Sequence, residues 1–326
     1  MKAAVYHRYG PPNVVTVAET PRPVPGPSDV LVEVAATSVT TADWRFRASA
    51  FPGGLWIFGR LMSGLRKPRQ PVLGRDFSGK IVAVGEEVTR YAVGQSVFGV
   101  SLKMGAHAEF LVMPENGVMV PLPEGAAPVD AAALPFGAMS ALVFLRDIAQ
   151  VTLGERVLIT GASGGVGVYA VQIAQSLGAE VTAVAGPGRE AVLRDLGAAH
   201  VLDYTAGPVV WRGDRYDVIF DTVGSLSFAQ AKPALANNGR FVPLEFGVQD
   251  LMRAIWSWIR GGKRLLLAVA PDRQADLKAV AEMWRDGVLR PVVDARLPLA
   301  QIAIAHARVQ ERHKVGSMVI DMTLAE

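Results

Sequence analysis

The sequence contains no cysteine. Disulfides, thiolate zinc sites, iron–sulfur clusters and a cysteine nucleophile are thereby excluded. Charge of one sign is lacking as well. The 33 Lys and Arg stand against 30 Asp and Glu, and no basic block is dense enough for a nucleic-acid footprint. No uncharged apolar run approaches the roughly 18 residues of a membrane span. The most apolar stretch, residues 51–65, is interrupted by Arg60 and several glycines, and His7 and Arg8 follow too soon for a secretory leader. The five histidines (His7, His107, His200, His306, His313) lie far apart and show no Ser–His–Asp pattern. A soluble cytoplasmic protein with no nucleic-acid or membrane partner is the expectation.

What is present points to a folded chain of two domains. Half of the 326 residues are hydrophobic and 19% are charged, too apolar for a disordered chain and long enough for two cores. Residues 1–123 read as short strands, at 30–34, 80–85, 93–98 and 109–113, punctuated by glycine and proline, which suggests a small mostly-β lobe. Residues 128–150 are rich in Ala and Leu at helical spacing, broken at 135–137. Val/Ile-rich strands (156–160, 181–185, 200–203, 217–221, 240–244) then alternate with helices (166–177, 190–196), the pattern of a parallel sheet covered on both faces. From about residue 271 helices 273–286 and 299–309 and strands 292–294 and 317–321 return to the first lobe. The expected fold is therefore α/β. A doubly wound domain, 124–269, is inserted into a mostly-β domain made of 1–123 and 270–326.

The sharpest motif is Gly161-Ala162-Ser163-Gly164-Gly165-Val166-Gly167, which follows a strand and opens a helix. Glycines there let the backbone approach a pyrophosphate and let the helix pack on the strand, while the helix N-terminus favours the negative charge. The match to G-x-G-x-x-G is imperfect at Ala162; Gly161, Ser163 and Gly165 also spell G-x-S-x-G, but with no Ser–His–Asp pattern in the chain a hydrolase elbow is not the reading. Ser163, Gly164, Gly165 and Val166 are the expected phosphate contacts. The next strand runs into Gly186-Pro187-Gly188-Arg189 with no carboxylate at its tip. An acid there would repel a 2′-phosphate, whereas Arg189 can pair with one, so NADP is expected over NAD with Gly186 and Arg189 as contacts. Val223, Gly224, Phe246 and Gly247 follow strands at the carboxyl edge of the sheet, where α/β folds bind ligands.

With these motifs placed, the whole chain resembles the medium-chain dehydrogenase/reductase superfamily, in particular its zinc-independent quinone oxidoreductase-like branch. The resemblance is carried by Met1-Lys2-Ala3, by Pro71-Val72-Leu73-Gly74-Arg75-Asp76-Phe77-Ser78-Gly79 and by Val93-Gly94-Gln95-Ser96-Val97-Phe98-Gly99. It continues through Gly105-Ala106-His107-Ala108-Glu109-Phe110, Ala131-Ala132-Ala133-Leu134-Pro135, the glycine turn and Asp217-Val218-Ile219-Phe220-Asp221-Thr222-Val223-Gly224. It implies a GroES-like catalytic lobe formed by both chain ends, an inserted Rossmann domain, an active site in the cleft between them, and a homodimer. The zinc-ligand places of its alcohol dehydrogenases fall at Thr40, Arg75 and Phe136, none of them a zinc ligand, and Asp43, His107 and Asp76 match no zinc spacing.

Without a Lewis acid the acceptor must already be electrophilic, as in a quinone or an α,β-unsaturated carbonyl, a small hydrophobic substrate. The resemblance places Thr40 and Asp43 where quinone reductases carry Asn-Pro-x-Asp, so these are the catalytic candidates, with Asp43 expected to orient Arg45 or Arg47. It places Ser140 against the nicotinamide carboxamide and Tyr204 at the adenosine phosphate. Residues 51–62 are expected to form a hydrophobic lid, with Trp44, Phe51, Trp56 and Phe58 as substrate contacts and Trp256 and Trp258 as a second apolar wall. The lid region has no tyrosine of the kind that donates a proton in mitochondrial-type enoyl thioester reductases. A zinc-free carbonyl or alcohol dehydrogenase and a non-catalytic, redox-sensing NADPH-binding protein are the alternative readings.

Overall fold

The computed structural model describes residues 1–210, 213 and 215–325. It divides into two compact units. One comprises Met1–Phe51, Trp56–Phe136 and Asp272–Glu326, the other Pro52–Leu55 and Gly137–Pro271.

The first unit is built around the long strand Asp29–Val39. Along its length it pairs antiparallel with Asp76–Val84. Its first half also pairs with Phe110–Pro114 and its second half with Ser317–Asp321, so the sheet coils around it. Ser96–Val100 and Val118–Pro121 extend one side, and Val293–Leu297 closes the other. Alternating inward residues such as Val30, Val32, Phe77, Ile81, Val97 and Met119 form one core cluster. The strand expected at 93–98 begins only at Ser96, because Gly94 takes a left-handed φ of +93° and turns the chain first.

The second unit is a six-stranded parallel sheet. Its order is His200–Asp203, Glu180–Ala185, Arg156–Thr160, Tyr216–Asp221, Leu235–Pro243, Arg264–Leu265. Numbered along the chain this is 3-2-1-4-5-6, the doubly wound order, and it reverses direction between Arg156–Thr160 and Tyr216–Asp221. These strands are buried on both faces, which is why they read as continuous Val/Ile runs rather than alternating ones.

Three differences from the sequence reading follow from packing. The units part at Phe136/Gly137 rather than at 123/124, because helix Pro128–Ala133 buries Val129, Ala132 and Ala133 against Ala36 and Val319 of the first sheet. The strand expected at 240–244 runs over Leu235–Pro243, with a register shift near Asn238, whose φ is +62°. Residues 51–62, expected as a loop, are helical from Trp56 onward. Trp56–Ser63 is a helix, as are Thr41–Ala48 and Val248–Arg260, none of which the apolar spacing had marked.

Candidate active site

At the switch in strand order the chain leaves Arg156–Thr160 through Gly161, whose φ is +63°. A Cβ on Gly161 would lie 2.4 Å from Val223 Cγ1 and 2.7 Å from Thr222 Oγ1. Helix Gly167–Ser176 then begins directly above the turn. A Cβ on Gly167 would lie 2.2 Å from the Gly161 carbonyl oxygen and 2.6 Å from Ala162 Cα, so only glycine permits this approach. Ala162 is fully buried and donates its N–H to the Val184 carbonyl at 2.9 Å. Its methyl group therefore belongs to the core, which explains the departure from G-x-G-x-x-G. Ser163, Gly164 and Gly165 remain part-exposed; the Gly164 amide donates to the Gly161 carbonyl at 2.9 Å, and the Val168 and Ala170 amides donate to the Gly164 and Val166 carbonyls at 3.1 and 2.9 Å. Gly137 packs against the Gly165 carbonyl and the Tyr169 ring, and thereby fixes helix Pro135–Leu142, which carries the half-buried Ser140, on this turn.

One residue that the sequence reading did not single out holds the carboxyl edge together. Asp221 is fully buried at the end of Tyr216–Asp221. It accepts hydrogen bonds from Thr160 Oγ1 (2.6 Å), Val223 N (3.2 Å), Ser225 N (3.2 Å), Ser225 Oγ (3.3 Å) and Leu226 N (2.8 Å). Thr222 Oγ1 donates to the Thr160 carbonyl at 2.7 Å. The two strands flanking the switch are thus cross-tied, and Val223 and Gly224 are placed by that tie. The available signal was a carboxylate ending an apolar strand and followed at once by a Thr-Val-Gly-Ser turn. Gly224, Phe246 and Gly247 come together with Pro52, Gly53 and Asp250 around a cavity of about 400 Å³. Gly53 and Gly247 meet backbone to backbone, so a Cβ on Gly53 would lie 2.2 Å from Gly247 Cα.

At the far end of Glu180–Ala185, Gly186 lies against Tyr204, and a Cβ there would come within 3.1 Å of the phenol oxygen. Tyr204 is 53% exposed and its N–H bonds the Ala185 carbonyl, so Gly186 and Tyr204 form one surface. Arg189 is half-buried at the cap of Glu190–Asp195. Nearby, Glu190 pairs with Arg194 at 3.0 Å, and Asp203 accepts both the N–H and the hydroxyl of Thr205.

In the first unit the catalytic candidates Thr40 and Asp43 are hydrogen-bonded to each other. Asp43 is fully buried, and its Oδ2 accepts from Thr40 N (2.8 Å) and Thr40 Oγ1 (2.6 Å) while its Oδ1 accepts from Gly74 N (2.9 Å). This is a capping box at the start of Thr41–Ala48 that also anchors the 74–76 segment. Arg47 directs its guanidinium to the Gly10 carbonyl (2.6 Å) and Gln310 Oε1 (2.5 Å) rather than serving as a side chain oriented by Asp43. Asp76 is wholly buried too; its Oδ2 accepts from Ser38 Oγ and Phe136 N, each at 3.0 Å. Burial pushes its carboxyl up to about 7, against the lowering effect of the Phe136 amide and Arg75. His107 bonds the Ser38 carbonyl at 3.1 Å and stands edge-on to His306; burial holds both imidazoles below the usual histidine range.

The four expected substrate contacts do not share a setting. Trp44 is part-buried against a core cluster of the first unit, with Arg312 5.2 Å above its ring. Phe51 packs edge-on against Phe46 at 5.5 Å, under Gly59. Trp56 and Phe58 are exposed on helix Trp56–Ser63. Arg60 pins that helix by donating to Ser49 Oγ and lying over the Tyr9 ring, and Tyr9 donates to Ser63.

Residues 26–124 match the alcohol dehydrogenase GroES-like domain, and residues 196–320 match a model described as zinc-binding dehydrogenase. The chain is 32% identical to the mitochondrial NAD(P)H oxidoreductase RTN4IP1 of Danio rerio, over 77% of this chain and 72% of that one. It is 28% identical to a chloroplast envelope quinone oxidoreductase homolog of Arabidopsis thaliana, over 98% of both. Among solved structures, the quinone oxidoreductase of Coxiella burnetii superposes with a TM-score of 0.86 at 25% identity over 99% of both chains. The Escherichia coli quinone oxidoreductase complexed with NADPH has a TM-score of 0.83 at 21% identity, over 98% of this chain and 100% of that one, a likeness of fold. The fold and the glycine turn define a pyridine-nucleotide oxidoreductase. The chain belongs to the medium-chain dehydrogenase/reductase superfamily, in its quinone oxidoreductase-like branch, and is an NAD(P)H-dependent enzyme.

The zinc in that family description does not suit the donors here. Thr40 caps a helix, Arg75 is ion-paired to Asp272, and Phe136 offers no side-chain donor at all. Among the described residues no three His, Asp or Glu side chains group as a metal site.

Proposed function

We propose that this chain is an NADPH-dependent reductase of quinones or α,β-unsaturated carbonyls that works without a metal. The observation that carries the proposal is the 161–167 turn at the strand-order switch, braced by Asp221, where glycines leave the amides of Gly165, Val166 and Gly167 at the start of the helix open to a pyrophosphate. Bound NADPH supplies a hydride. The chain's own residues bind and orient it. Gly165 and Val166 offer backbone N–H groups to the pyrophosphate, with Ser163 and Gly164 lining the turn, and Arg189 with Tyr204 and Gly186 takes the adenosine phosphate. Ser140 positions the carboxamide, and Val223, Gly224, Phe246 and Gly247 wall the nicotinamide side. Relatives named quinone oxidoreductases support the acceptor class. The unsuitable donors at Thr40, Arg75 and Phe136 support an acceptor that is electrophilic without a Lewis acid.

The test is NADPH oxidation against a panel of quinones, 2-alkenals and simple ketones. Turnover confined to the first two classes is expected, and turnover confined to ketones would overturn the acceptor assignment. For the cofactor, Arg189→Asp is expected to raise KM for NADPH at least ten-fold while KM for NADH stays within about two-fold, on the scale of one lost charge-assisted phosphate contact. Equal effects on both would remove Arg189 from the phosphate site.

A further inference from the structure

Helix Val248–Arg260 is turned the opposite way from an ordinary surface helix. Its inward face carries the small residues Ala254 and Ser257, with Ser257 donating to the Ala254 carbonyl and accepting from Leu265 N. Its outward face carries Leu251, Met252, Ile255, Trp256, Trp258 and Ile259, each between 46% and 73% exposed. At 3.6 residues per turn these side chains, with Val248, occupy an arc of about 160° that holds no polar residue. The two tryptophans stand at its opposite edges. Beside the Trp256 edge lie Arg253 and Arg260, the latter with its guanidinium 5.3 Å from the Trp256 ring, and the exposed Arg264 follows. Residues 248–264 hold four basic side chains and one acidic, and that acid, Asp250, is engaged by Gly247 N and Arg253.

We propose that this helix is a docking surface for an anionic lipid membrane, on which it lies flat without crossing. The expectation of no membrane partner rested on the absence of a spanning run, and among the described residues no helix is long and apolar enough to span. A surface helix needs no such run. Two features select a lipid surface over a second protein. Indole rings at both edges sit where headgroups meet acyl chains. The surplus of arginine at the rim complements anionic headgroups.

Flotation of the purified full-length chain with vesicles of equal parts phosphatidylglycerol and phosphatidylcholine, against phosphatidylcholine alone, tests this. The chain is expected to float with the anionic vesicles and to be released by high salt. Arg260→Gln and Arg264→Gln should each weaken binding about five-fold, the effect of one basic residue at an anionic surface. Ile255→Asp combined with Ile259→Asp should abolish it. All four positions are exposed, and circular dichroism melting confirms that the variants fold. No flotation with either vesicle, equal flotation with both, or retained binding by the double aspartate variant would overturn the proposal. Conversion of a dimer to a monomer by the double variant, with no vesicle binding by the parent chain, would assign the face to a second copy and overturn it equally.

Discussion

Replacing Asp221 tests whether the carboxyl edge of the sheet is held by one buried carboxylate. In Asp221→Ala the hydroxyl of Thr160 and the amides of Val223, Ser225 and Leu226 lose their acceptor together. Each orphaned donor costs about 1 kcal/mol at the low end of the usual range, because the 222–226 turn is half-exposed and water reaches part of it. Removing a buried carboxylate recovers some desolvation, so a net loss of about 3 kcal/mol is expected. Asp221→Asn separates the contributions. Its oxygen can keep the bonds from Thr160, Val223 and Ser225, while its amide nitrogen faces the Leu226 N–H, donor against donor. About half the loss should remain. Urea unfolding at pH 7.5 gives both values, and KM for NADPH should rise in the same order, because Val223 and Gly224 move with the turn. Losses under 1 kcal/mol for both variants, or an alanine variant no worse than the asparagine one, would show that the turn is held by something other than Asp221.

Two further outcomes follow from the geometry. Gly167→Ala places a methyl 2.2 Å from the Gly161 carbonyl oxygen, so the helix must lift off the turn; NADPH binding, measured by fluorescence titration, should weaken at least ten-fold, and unchanged affinity would place the pyrophosphate elsewhere. Asp76 has its folded pKa raised to about 7 from an unfolded value near 3.8, so the native state holds the extra proton and loses stability as pH rises from about 4 through 7. Asp76→Asn mimics the protonated acid. It should match the parent chain near pH 4 and exceed it at pH 8 by as much as ~4 kcal/mol, on the order of 1.4 per pKa unit. A difference that does not change with pH would refute the assignment.

The organisation of the chain was legible because it rests on local periodicity. Continuous apolar strands such as Arg156–Thr160 and Tyr216–Asp221, each bounded by glycine or a polar turn, announce a buried parallel sheet in their own residues. The glycine turn was legible for the same reason, since Gly161 and Gly167 are dictated by backbone conformation and close approach within one short segment. The helices Thr41–Ala48, Trp56–Ser63 and Val248–Arg260 were not, because none turns an apolar stripe inward. The first is fixed by a capping box tied to Gly74, the second by Arg60 over Tyr9, and the third points its apolar arc to solvent.

The sequence by itself determined the residue chemistry: no cysteine for a thiolate metal site, a glycine turn after a buried strand, and an arginine with no carboxylate at the tip of the next strand. Only the tertiary structure decided what the polar residues do. The linear string cannot show that Asp43 is buried and accepts from Thr40 and Gly74, or that Asp76 is buried and accepts from Ser38 and Phe136. Asp221, unremarkable in the string, became the brace of the carboxyl edge because five donors from two strand ends converge on it. A side chain's composition sets what it is able to bond; which partners it meets, and how much water is left to compete, depends on contacts between segments distant along the chain.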